Sequence, residues 1–468
     1  MPHYFKTTTP TPSIFKAYDI RGIVDKTLTV EVVRAIGYAL AEMAQAKGVH
    51  TMVVGRDGRL SGPELAGALA EGIMDAGVDV IDIGSVVTPM VYYANFLLET
   101  GTGVMVTGSH NPPEYNGLKM VIAGEAIHGD TITSIYTRIA SPDFSAAQSP
   151  RRGSLRTQDV RHAYIDRITS DVKLARPMKI AIDAGNGAAG AYAPELFRAL
   201  GCEVTELFCE VDGTFPNHHP DPAHPENLED LQRCLRDTDA ELGLAFDGDG
   251  DRLGVVTKEG NIIYPDRQMM LFAQDVLSRN PGAQIIFDVK CSRHLAKHIR
   301  AHGGEALMWR TGHSLVKAKL KETGAPLAGE MSGHVFFKER WYGFDDGLYT
   351  GARLLEILSR SANPSAVLNA LPDSICTPEL QLKLQEGENF ALIDKLHQHA
   401  SFPGAEEIIT IDGLRVEYPD GFGLARSSNT TPVIVMRFEA DNAEALARIQ
   451  AEFKREILKQ KADAALPY

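Results

Sequence analysis

The chain has 468 residues, of which 44% are hydrophobic and 23% charged, so it is long enough for three or four domains of an ordinary globular protein. Its formal net charge of −14 argues against nucleic acid as the main ligand. No segment approaches the roughly 20 apolar residues of a membrane span, and the start of the chain lacks the basic-then-apolar order of a secretory signal.

The cysteines indicate a compartment. They are odd in number and show no Cys-x-x-Cys spacing, which argues against both a disulfide framework and a zinc site. We therefore expect reduced thiols in a cytoplasmic protein that binds no membrane. The five cysteines are Cys202, Cys209, Cys234, Cys291 and Cys376.

A strand, a loop, a helix, a glycine and a second strand follow one another three times along the chain. In the first copy, 51–57 reads as a strand that ends at an acid, and Ser61 to Glu64 has the capping-box pattern of a helix start. Helical periodicity continues to Gly77, and the next strand occupies 78–83. Each copy predicts an α/β unit with a crossover helix. The pattern recurs at 178–183, 196–200 and 203–208, and again at 284–288, 295–299 and 305–309.

The last hundred residues have a different pattern. Alternating strands such as 432–438 precede a helix from about 443 to 459, which indicates a smaller α+β domain. We therefore predict an α/β protein with three similar α/β domains of mixed sheets, and a C-terminal α+β domain, around a central cleft. The predicted domains are 1–155, 156–258, 259–370 and 371–468.

The first chemical motif is the loop from Thr107 to Lys119. Gly108 precedes Ser109 and His110 follows it, while two prolines exclude regular structure and Asn116 with Gly117 resembles a closing turn. A serine on such a loop, with a polar partner beside it, is a candidate for covalent catalysis. The alternative is a solvated turn residue, the usual role of serine in loops rich in proline and glycine.

The second motif alternates three carboxylates with glycines at Asp247, Asp249 and Asp251, and Arg252 follows. Hard oxygen ligands of this kind suit Mg²⁺ or Ca²⁺. The motif is not an EF-hand, because the flanks 241–246 and 253–257 read as strands and the sixth and twelfth positions do not match. The alternative is an acidic hairpin turn in solvent, although three close like charges repel unless a cation neutralises them.

Two further polar clusters follow. One runs from Gly329 to His334 and contains Glu330 and Ser332. The other begins at Arg426 and combines a guanidinium, hydroxyls and an amide, which suits an anion cradle. The alternative for this second cluster is an exposed polar turn.

A competing reading comes from the glycines at 185, 187 and 190. They follow a strand, open a helix and precede Glu210 by about twenty residues, which matches the dinucleotide-binding fingerprint of a dehydrogenase. Against this reading, hydride transfer does not need the nearby aspartate cluster. We expect these glycines to serve tight strand-to-helix packing.

Taken together, the four motifs resemble those of the α-D-phosphohexomutase family, in the same order and over essentially the whole chain. They read Thr-Gly-Ser-His-Asn-Pro at 107–112, Asp-Gly-Asp-Gly-Asp-Arg at 247–252, Gly-Glu-Met-Ser-Gly-His at 329–334 and Arg-Ser-Ser-Asn-Thr at 426–430. Met331 resembles the phosphomannomutase/phosphoglucomutase branch, since the phosphoglucosamine mutase branch usually has glutamine there.

The resemblance implies roles for residues that match the family motifs. Ser109 would carry a phosphoryl group, and Mg²⁺ would bind to Ser109 through its phosphate, Asp247, Asp249 and Asp251. Lys119 would be the general acid or base, assisted by Arg21, His110 and Arg252. The residues implied to bind substrate are Tyr18, Lys290, His313, Glu330, Ser332, Arg426, Ser428, Asn429 and Thr430.

The implied reaction is the reversible exchange of a phosphate between positions 1 and 6 of a hexose, glucose or mannose. The phosphoserine forms a 1,6-bisphosphate, which turns in the cleft before Ser109 takes back the other phosphate. The resemblance also implies glucose 1,6-bisphosphate as activator and a monomer that binds hexose monophosphates. Because the intermediate must not escape while it turns, we expect the C-terminal domain to close as a lid through Arg426 and its neighbours. The alternatives are a phosphoglucosamine mutase and a metal-dependent sugar phosphatase.

Overall fold

The fold is taken from a computed structural model that describes residues 9–141, 144, 149, 151–429 and 431–468. The chain forms two compact units. The first comprises the residues up to Pro265, with His313–Leu327 and Ser332–Ala370, and the second comprises Asp266–Gly312, Ala328–Met331 and Leu371–Tyr468. Within the described residues, no helix combines the length and apolarity needed to cross a bilayer.

The N-terminal region forms a mixed sheet with helices packed against it. Its elements are β1 (Ile20–Ile23), α1 (Val30–Ala46), β2 (Thr51–Arg56), α2 (Gly62–Asp75), β3 (Asp79–Ser85), α3 (Thr88–Leu97), β4 (Gly103–Val106), β5 (Tyr115–Ile122), β6 (Glu125–Ala126), α4 (Asp130–Ala140) and β7 (Leu155–Thr157). The strand order is β1-β5-β4-β2-β3-β7, with β6 paired to β5. β2 runs parallel to β3 and β4, whereas β5 runs antiparallel to β1 and β4.

The next region forms a second mixed sheet in the same compact unit. Its elements are α5 (Arg161–Asp171), β8 (Lys179–Asp183), α6 (Ala193–Ala199), β9 (Glu203–Leu207), α7 (Glu229–Asp237), β10 (Leu242–Phe246), β11 (Leu253–Thr257) and β12 (Ile262–Ile263). The strand order is β12-β11-β10-β8-β9, and β8 lies parallel to both neighbours. β10 and β11 form an antiparallel hairpin, so the aspartate cluster lies in the turn between them.

The third region repeats the strand–helix–strand pattern. Its elements are α8 (Pro265–Arg279), β13 (Gln284–Asp288), α9 (Arg293–Ala301), β14 (Glu305–Trp309), α10 (His313–Thr323), β15 (Leu327–Gly329), β16 (Val335–Phe337), α11 (Gly347–Leu358) and α12 (Pro364–Asn369). Within the second unit, β13 and β14 pair in parallel, as the crossover helix α9 requires. All three predicted repeats are therefore parallel strand pairs with an intervening helix.

The C-terminal region is an antiparallel sheet with two helices on it. Its elements are β17 (Ile375–Cys376), β18 (Leu380–Lys383), α13 (Glu388–His399), β19 (Glu407–Ile409), β20 (Leu414–Tyr418), β21 (Gly421–Ser427), β22 (Val433–Ala440) and α14 (Ala443–Gln460). The strand order is β17-β22-β21-β20-β19, with β18 also paired to β22. Apolar side chains of α14 recur every four residues from Ala445 to Ile457 and are buried on this sheet.

Two local predictions were wrong. The helix α2 begins directly after Ser61, as predicted, but the Ser61 side chain makes no capping hydrogen bond and its backbone is already helical. Its hydroxyl instead accepts a hydrogen bond from the Asn116 amide at 2.9 Å. Asn116 and Gly117 do not form a turn but lie inside β5, because β1 pairs with them, and the carbonyl of Ile20 would lie 2.1 Å from a Cβ at Gly117.

Candidate functional site

Ser109 lies on the loop that joins β4 to β5, at the carboxyl end of β4. Its φ of +49° lies in the left-handed region, which residues other than glycine rarely adopt. The Ser109 amide donates a hydrogen bond to the Thr107 hydroxyl at 2.7 Å, which helps to stabilise this backbone. Such strain at a loop serine indicates a functional position rather than a solvated turn, and Ser109 is only 3% exposed.

The Arg59 side chain stabilises this loop through hydrogen bonds. Its guanidinium is fully buried, and it donates hydrogen bonds to four loop carbonyls. Gly108 is needed for this approach, because a Cβ there would lie 2.1 Å from the Arg59 side chain. The carbonyls belong to Ser109 (2.8 Å), Asn111 (2.5 Å), Pro112 (2.6 Å) and Tyr115 (2.9 Å).

Asp57, at the end of β2, completes the support of the loop. Its carboxylate accepts hydrogen bonds from the Thr107 hydroxyl at 2.8 Å and the Gly108 amide at 3.1 Å, and lies 3.3 Å from the Arg59 guanidinium. From the sequence, Asp57 was predicted only as a strand end, and neither Asp57 nor Arg59 was predicted as a site residue. Only the alternation of acid and base after a buried strand could have drawn attention to them.

The aspartate cluster lies in the turn between β10 and β11 and is completely buried. One carboxylate oxygen from each of Asp247, Asp249 and Asp251 lies within 4.8 Å of the other two. Asp249 Oδ1 and Asp251 Oδ1 accept no hydrogen bond from any described residue. Buried carboxylate oxygens without donors fit a divalent cation such as Mg²⁺, whereas the solvated hairpin turn does not fit this burial.

The Ser109 hydroxyl lies against this cluster. Ser109 Oγ is 3.3 Å from Asp247 Oδ2 and 3.2 Å from His110 Nδ1. Gly248 permits the contact, since a Cβ there would lie 2.3 Å from the Ser109 carbonyl oxygen. The structure therefore brings together the serine and the carboxylates that the sequence places 138 residues apart.

Lys119 projects from β5 into the aspartate cluster. Its ammonium donates to Asp249 at 2.7 Å and to Asp251 at 2.5 Å. Burial opposes the charge on Lys119, but the carboxylates of Asp249 and Asp251 outweigh it and raise the pKa of this lysine. Burial also opposes ionisation of Asp249, yet Lys119 lowers the pKa of that carboxyl.

The pKa values of Asp247 and Asp251 are shifted in the opposite direction to that of Asp249. Burial raises the pKa of each to about 7, although Arg252 opposes the shift at Asp247 and Lys119 opposes it at Asp251. The Arg252 guanidinium donates to Asp247 at 2.9 Å and also lies 3.3 Å from Asp221, so it is fixed by two acids.

His110 and Arg21 complete the group of side chains at the loop, one as a neutral imidazole and the other as a cation. Burial, together with the charge of Arg252, lowers the pKa of His110 well below its usual value, so the imidazole is neutral. Arg21 on β1 donates to the Thr107 carbonyl at 3.0 Å and to Asp19 at 2.6 Å. Arg21 thus contacts the start of the Ser109 loop.

A histidine and an acid not predicted as site residues extend this group. His334 Nδ1 is 3.0 Å from Asp345 Oδ2 and 3.6 Å from Asp251 Oδ1, and the Lys317 ammonium donates to Asp345 at 2.9 Å. Asp251, His334 and Asp345 also form a second set of grouped metal-ligand atoms. His334 closes the third sequence motif, which was the available signal, whereas Asp345 and Lys317 stood in no motif.

Three of the predicted substrate residues lie near this group in the first unit. The Ser332 carbonyl accepts from Arg252 at 3.4 Å. The His313 ring packs edge-on against Tyr18 at 5.7 Å and lies 5.6 Å from the ring of His334. Burial lowers the pKa of His313 well below its usual value.

The second unit holds the other predicted substrate residues. Glu330 is buried and accepts from the Gly312 amide at 2.5 Å. The Lys290 ammonium donates to Glu379 at 2.6 Å; burial opposes its charge, but Glu379 raises the pKa of Lys290 overall. Lys290 lies just after the end of β13, and Glu330 lies just after the end of β15.

Arg426 lies at the end of β21 and forms an ion pair with Asp412. Its Nε donates to Asp412 Oδ2 at 3.1 Å, and the same oxygen accepts from the Thr311 amide at 3.0 Å. Ser428 is buried and its hydroxyl accepts from the Thr431 amide at 3.3 Å. Asn429 follows in a bend. Thr430 lies outside the described residues.

The glycines of the competing dinucleotide reading have packing roles. A Cβ at Gly187 would lie 2.9 Å from Gly248, and one at Gly190 would lie 2.2 Å from the Cys209 carbonyl oxygen. The segment after β8 continues into a 3₁₀ turn and the seven-residue helix α6. Both approaches are to loops, since Gly248 lies between β10 and β11 and Cys209 follows β9, so these glycines permit close packing against loops rather than of a strand on a helix.

The sequence matches four family models that together span almost the whole chain. They describe phosphoglucomutase/phosphomannomutase α/β/α domains I, II and III and the C-terminal domain of the same proteins. This confirms the predicted fold class of three α/β domains with a smaller C-terminal domain. The matches cover residues 12–146, 162–260, 264–375 and 379–456.

Individual relatives agree with the family models. A phosphoglucomutase of Neisseria gonorrhoeae is 61% identical over 96% of this chain and 97% of its own. A phosphomannomutase/phosphoglucomutase of Pseudomonas aeruginosa is 54% identical over 99% of this chain and 98% of its own. The crystal structure of a phosphoglucomutase/phosphomannomutase family protein from Burkholderia thailandensis is 62% identical, with a TM-score of 0.93, and the match covers 98% of this chain and all of that one. The chain therefore belongs to the phosphoglucomutase/phosphomannomutase family, enzymes that interconvert hexose 1-phosphates and hexose 6-phosphates.

Proposed function

We propose that this enzyme exchanges phosphate between positions 1 and 6 of glucose and mannose phosphates, with Ser109 as the group that carries phosphate. The observation that supports this most directly is the approach of Ser109 Oγ to Asp247, at 3.3 Å, on a strained loop. The names of the relatives support glucose and mannose over glucosamine as substrates.

We assign the cation site to Asp247, Asp249 and Asp251, with Mg²⁺ as the ion because all the donors are hard oxygens. When bound, the ion would offset the negative charge of the phosphoryl group during transfer. The phosphate on Ser109 would add a further oxygen donor. Lys119 holds two of the carboxylates in place and keeps the group from carrying three uncompensated charges.

We assign proton transfer to Lys119 and His110. As an O–P bond forms to the sugar, the sugar hydroxyl loses its proton, and Ser109 Oγ regains one as its own bond to phosphorus breaks. Lys119 is charged and can donate, whereas the neutral His110 imidazole can accept. Arg252 and Arg21 would stabilise the added negative charge around the loop.

Residues of the second unit match the family's substrate-binding motifs, and we assign them that role. Glu330 is a buried acceptor that suits a sugar hydroxyl, and Arg426 with Ser428 offers the donors that a phosphate requires. Lys290, Asn429 and Thr430 would share this role. His313, Ser332 and Tyr18 would contact the sugar. Because the 1,6-bisphosphate must turn end for end, the phosphate site has to accept either of its two phosphates.

The test is ³¹P NMR of the enzyme with Mg²⁺, a trace of glucose 1,6-bisphosphate as the proposed activator, and glucose 1-phosphate or mannose 1-phosphate. We expect the 1-phosphate signal to be replaced by the 6-phosphate signal. Growth of inorganic phosphate would instead support the sugar phosphatase. The cytoplasmic location and the monomeric state stay predictions, and the described free cysteines are compatible with the former.

A further inference from the structure

A cavity of about 740 Å³ lies in the first unit, and none of its lining residues was assigned a role above except Lys317. Its walls are α3, the hairpin of β5 and β6, α10 and the segment Lys338–Phe344. Its volume lies within the roughly 300–1,000 Å³ that is usual for small-molecule sites.

One wall of this cavity is aromatic. The ring of Phe96 stacks on Tyr342 at 4.6 Å, and Tyr342 lies parallel to Phe344 at 6.0 Å. Phe96 is 52% exposed, which is unusual for a phenylalanine. A planar or apolar group could cover these rings and remove their surface from water.

The rest of the lining is cationic. Four lysines face two glutamates, although the whole chain has a net charge of −14. Glu125 pairs with Lys47 at 2.7 Å and lies 3.9 Å from Lys321. Lys338 is exposed and forms no ion pair within the described part of the chain. The excess positive charge beside an aromatic wall complements a ligand that is both apolar and anionic.

Lys317 connects the cavity to the aspartate cluster. Its ammonium lies 4.2 Å from the centre of the Tyr92 ring, which lines the cavity, and donates to Asp345 at 2.9 Å. Asp345 in turn contacts His334, which lies 3.6 Å from Asp251. An anion in the cavity would compete with Asp345 for Lys317, and so alter the charge next to the cation site.

We propose that this cavity is an effector site for an amphipathic organic anion, with an aromatic or apolar body against Phe96 and Tyr342 and its charge toward Lys317 and Lys338, which both line the cavity. The bound anion competes with Asp345 for Lys317, while His334 remains a partner of Asp345 at 3.0 Å, and phosphoryl transfer slows. The binding claim stands independently of the proposed reaction, whereas the effect on rate rests on it.

The test uses 8-anilinonaphthalene-1-sulfonate as an aromatic anionic probe and the full-length enzyme with Mg²⁺. Saturating glucose 1-phosphate is present, so that the substrate site is occupied. We expect saturable fluorescence with one site per chain. Phe96→Ala and Lys338→Glu should each weaken binding at least about fivefold. The first removes part of the aromatic wall, and the second reverses a positive charge in the lining.

Two matched variants control for unspecific binding. Leu155→Ala removes another exposed apolar side chain, 51% exposed, and Lys26→Glu reverses an exposed lysine outside the cavity. Both should bind the probe within about twofold of the wild type. No saturable binding, or equal binding by the cavity variants and their controls, would overturn the site.

The same samples test the effect on turnover. We expect the mutase rate at saturating substrate to fall as the probe saturates, with kcat lowered and KM little changed. In Phe96→Ala the fall should require correspondingly more probe. Saturable binding with an unaltered kcat would overturn the role of Lys317. A preparation without mutase activity would instead contradict the proposed function, and the fluorescence result would still decide the site.

Discussion

The aspartate cluster of the first unit and the cationic residues of the second balance charge in different ways. In the first, Lys119 bridges Asp249 and Asp251, and all three side chains are at most 3% exposed. In the second, Arg426 and Lys290 are nearly as buried, but their acid partners are not: the Glu379 side chain is 38% exposed and that of Asp412 is 16% exposed.

This difference indicates that the ion pairs of Lys119 are a permanent charge arrangement, whereas those of Arg426 and Lys290 are an exchangeable one. Buried pairs are costly to break, because each partner then remains in a low dielectric without compensation. A carboxylate that reaches solvent can leave its cation at smaller cost. We infer that Asp412 and Glu379 stand in for a phosphate at Arg426 and Lys290, whereas no part of the substrate takes the place of Asp249 and Asp251 at Lys119.

The largest expected effect comes from removal of the phosphate carrier. Ser109→Ala should lower mutase turnover by on the order of 10³-fold or more, because no other described hydroxyl lies in the same position against Asp247. Substrate binding, measured by calorimetry, should be retained. Turnover within tenfold of the wild type would place the phosphoryl carrier elsewhere.

The next effect tests the permanent arrangement. Asp249→Asn removes one cation ligand and one partner of Lys119, so half-maximal activation should require at least about 10–100-fold more Mg²⁺. The measurement is the mutase rate over a Mg²⁺ titration. The control is Asp420→Asn, which changes a 39% exposed acid that pairs with Arg448. An unchanged Mg²⁺ response in Asp249→Asn would contradict the cation assignment.

The exchangeable arrangement should affect binding rather than chemistry. Arg426→Ala removes a charged donor to phosphate, worth about 1.5–3 kcal/mol, so KM should rise roughly 10–100-fold. Steady-state kinetics with glucose 1-phosphate gives KM and kcat separately. Arg448→Ala, which removes a 41% exposed arginine, should leave both unchanged. A fall in kcat alone would assign Arg426 to the chemical step.

Substitution of two glycines by alanine compares the serine loop with the exposed surface of a helix. Gly108→Ala places a Cβ 2.1 Å from Arg59, so the loop must shift and activity should fall about tenfold or more. Gly67→Ala, inside α2, meets nothing within 4 Å and should stabilise the fold by about 0.5–1 kcal/mol. Activity and thermal unfolding of both variants provide the check, and a fully active Gly108→Ala would remove the proposed need for the Arg59 clamp.

The smallest expected effect is a pH dependence of stability without metal. Burial raises the pKa of Asp247 and Asp251 from 3.8 to about 7, so the folded, metal-free protein binds more protons than the unfolded chain in this interval. The contribution of these groups to stability is therefore present below pH 4 and is lost as the pH rises through about 7.

Bound Mg²⁺ competes with these protons, so its stabilising effect should grow between pH 5 and pH 8. Thermal unfolding with Mg²⁺ or with a chelator, at both pH values, measures the difference. Asp251→Asn should reduce it. A Mg²⁺ effect that is larger at pH 5 would contradict the raised pKa values.

Much of the fold could be predicted because the strand–helix–strand pattern is local. The parallel pairs β2–β3, β8–β9 and β13–β14 all follow from apolar runs separated by one helix and a glycine. The turn predicted at Asn116 and Gly117 failed because pairing with β1, far away in sequence, overrode the local preference.

The site could be predicted only in part, for a similar reason. Ser109 and the three aspartates stand in short motifs, so the residue types and their spacing already indicate the chemistry. Arg59 acts through hydrogen bonds to carbonyls about 50 positions away in the sequence. Asp345 acts through the side chain of His334, which it contacts. Such contacts leave no pattern in one sequence, and they emerge only once the strands are placed.

The proposed reaction depends on Ser109 as the carrier of the phosphoryl group. This role is tested most directly by incubation of the dephosphorylated enzyme with glucose 1,6-bisphosphate and Mg²⁺, followed by proteolysis and mass spectrometry of the peptide that contains 107–119. We predict one added phosphate on this peptide, located at Ser109, which is lost again on addition of excess glucose 6-phosphate. An active enzyme with phosphate on another residue, or on none, would contradict the account.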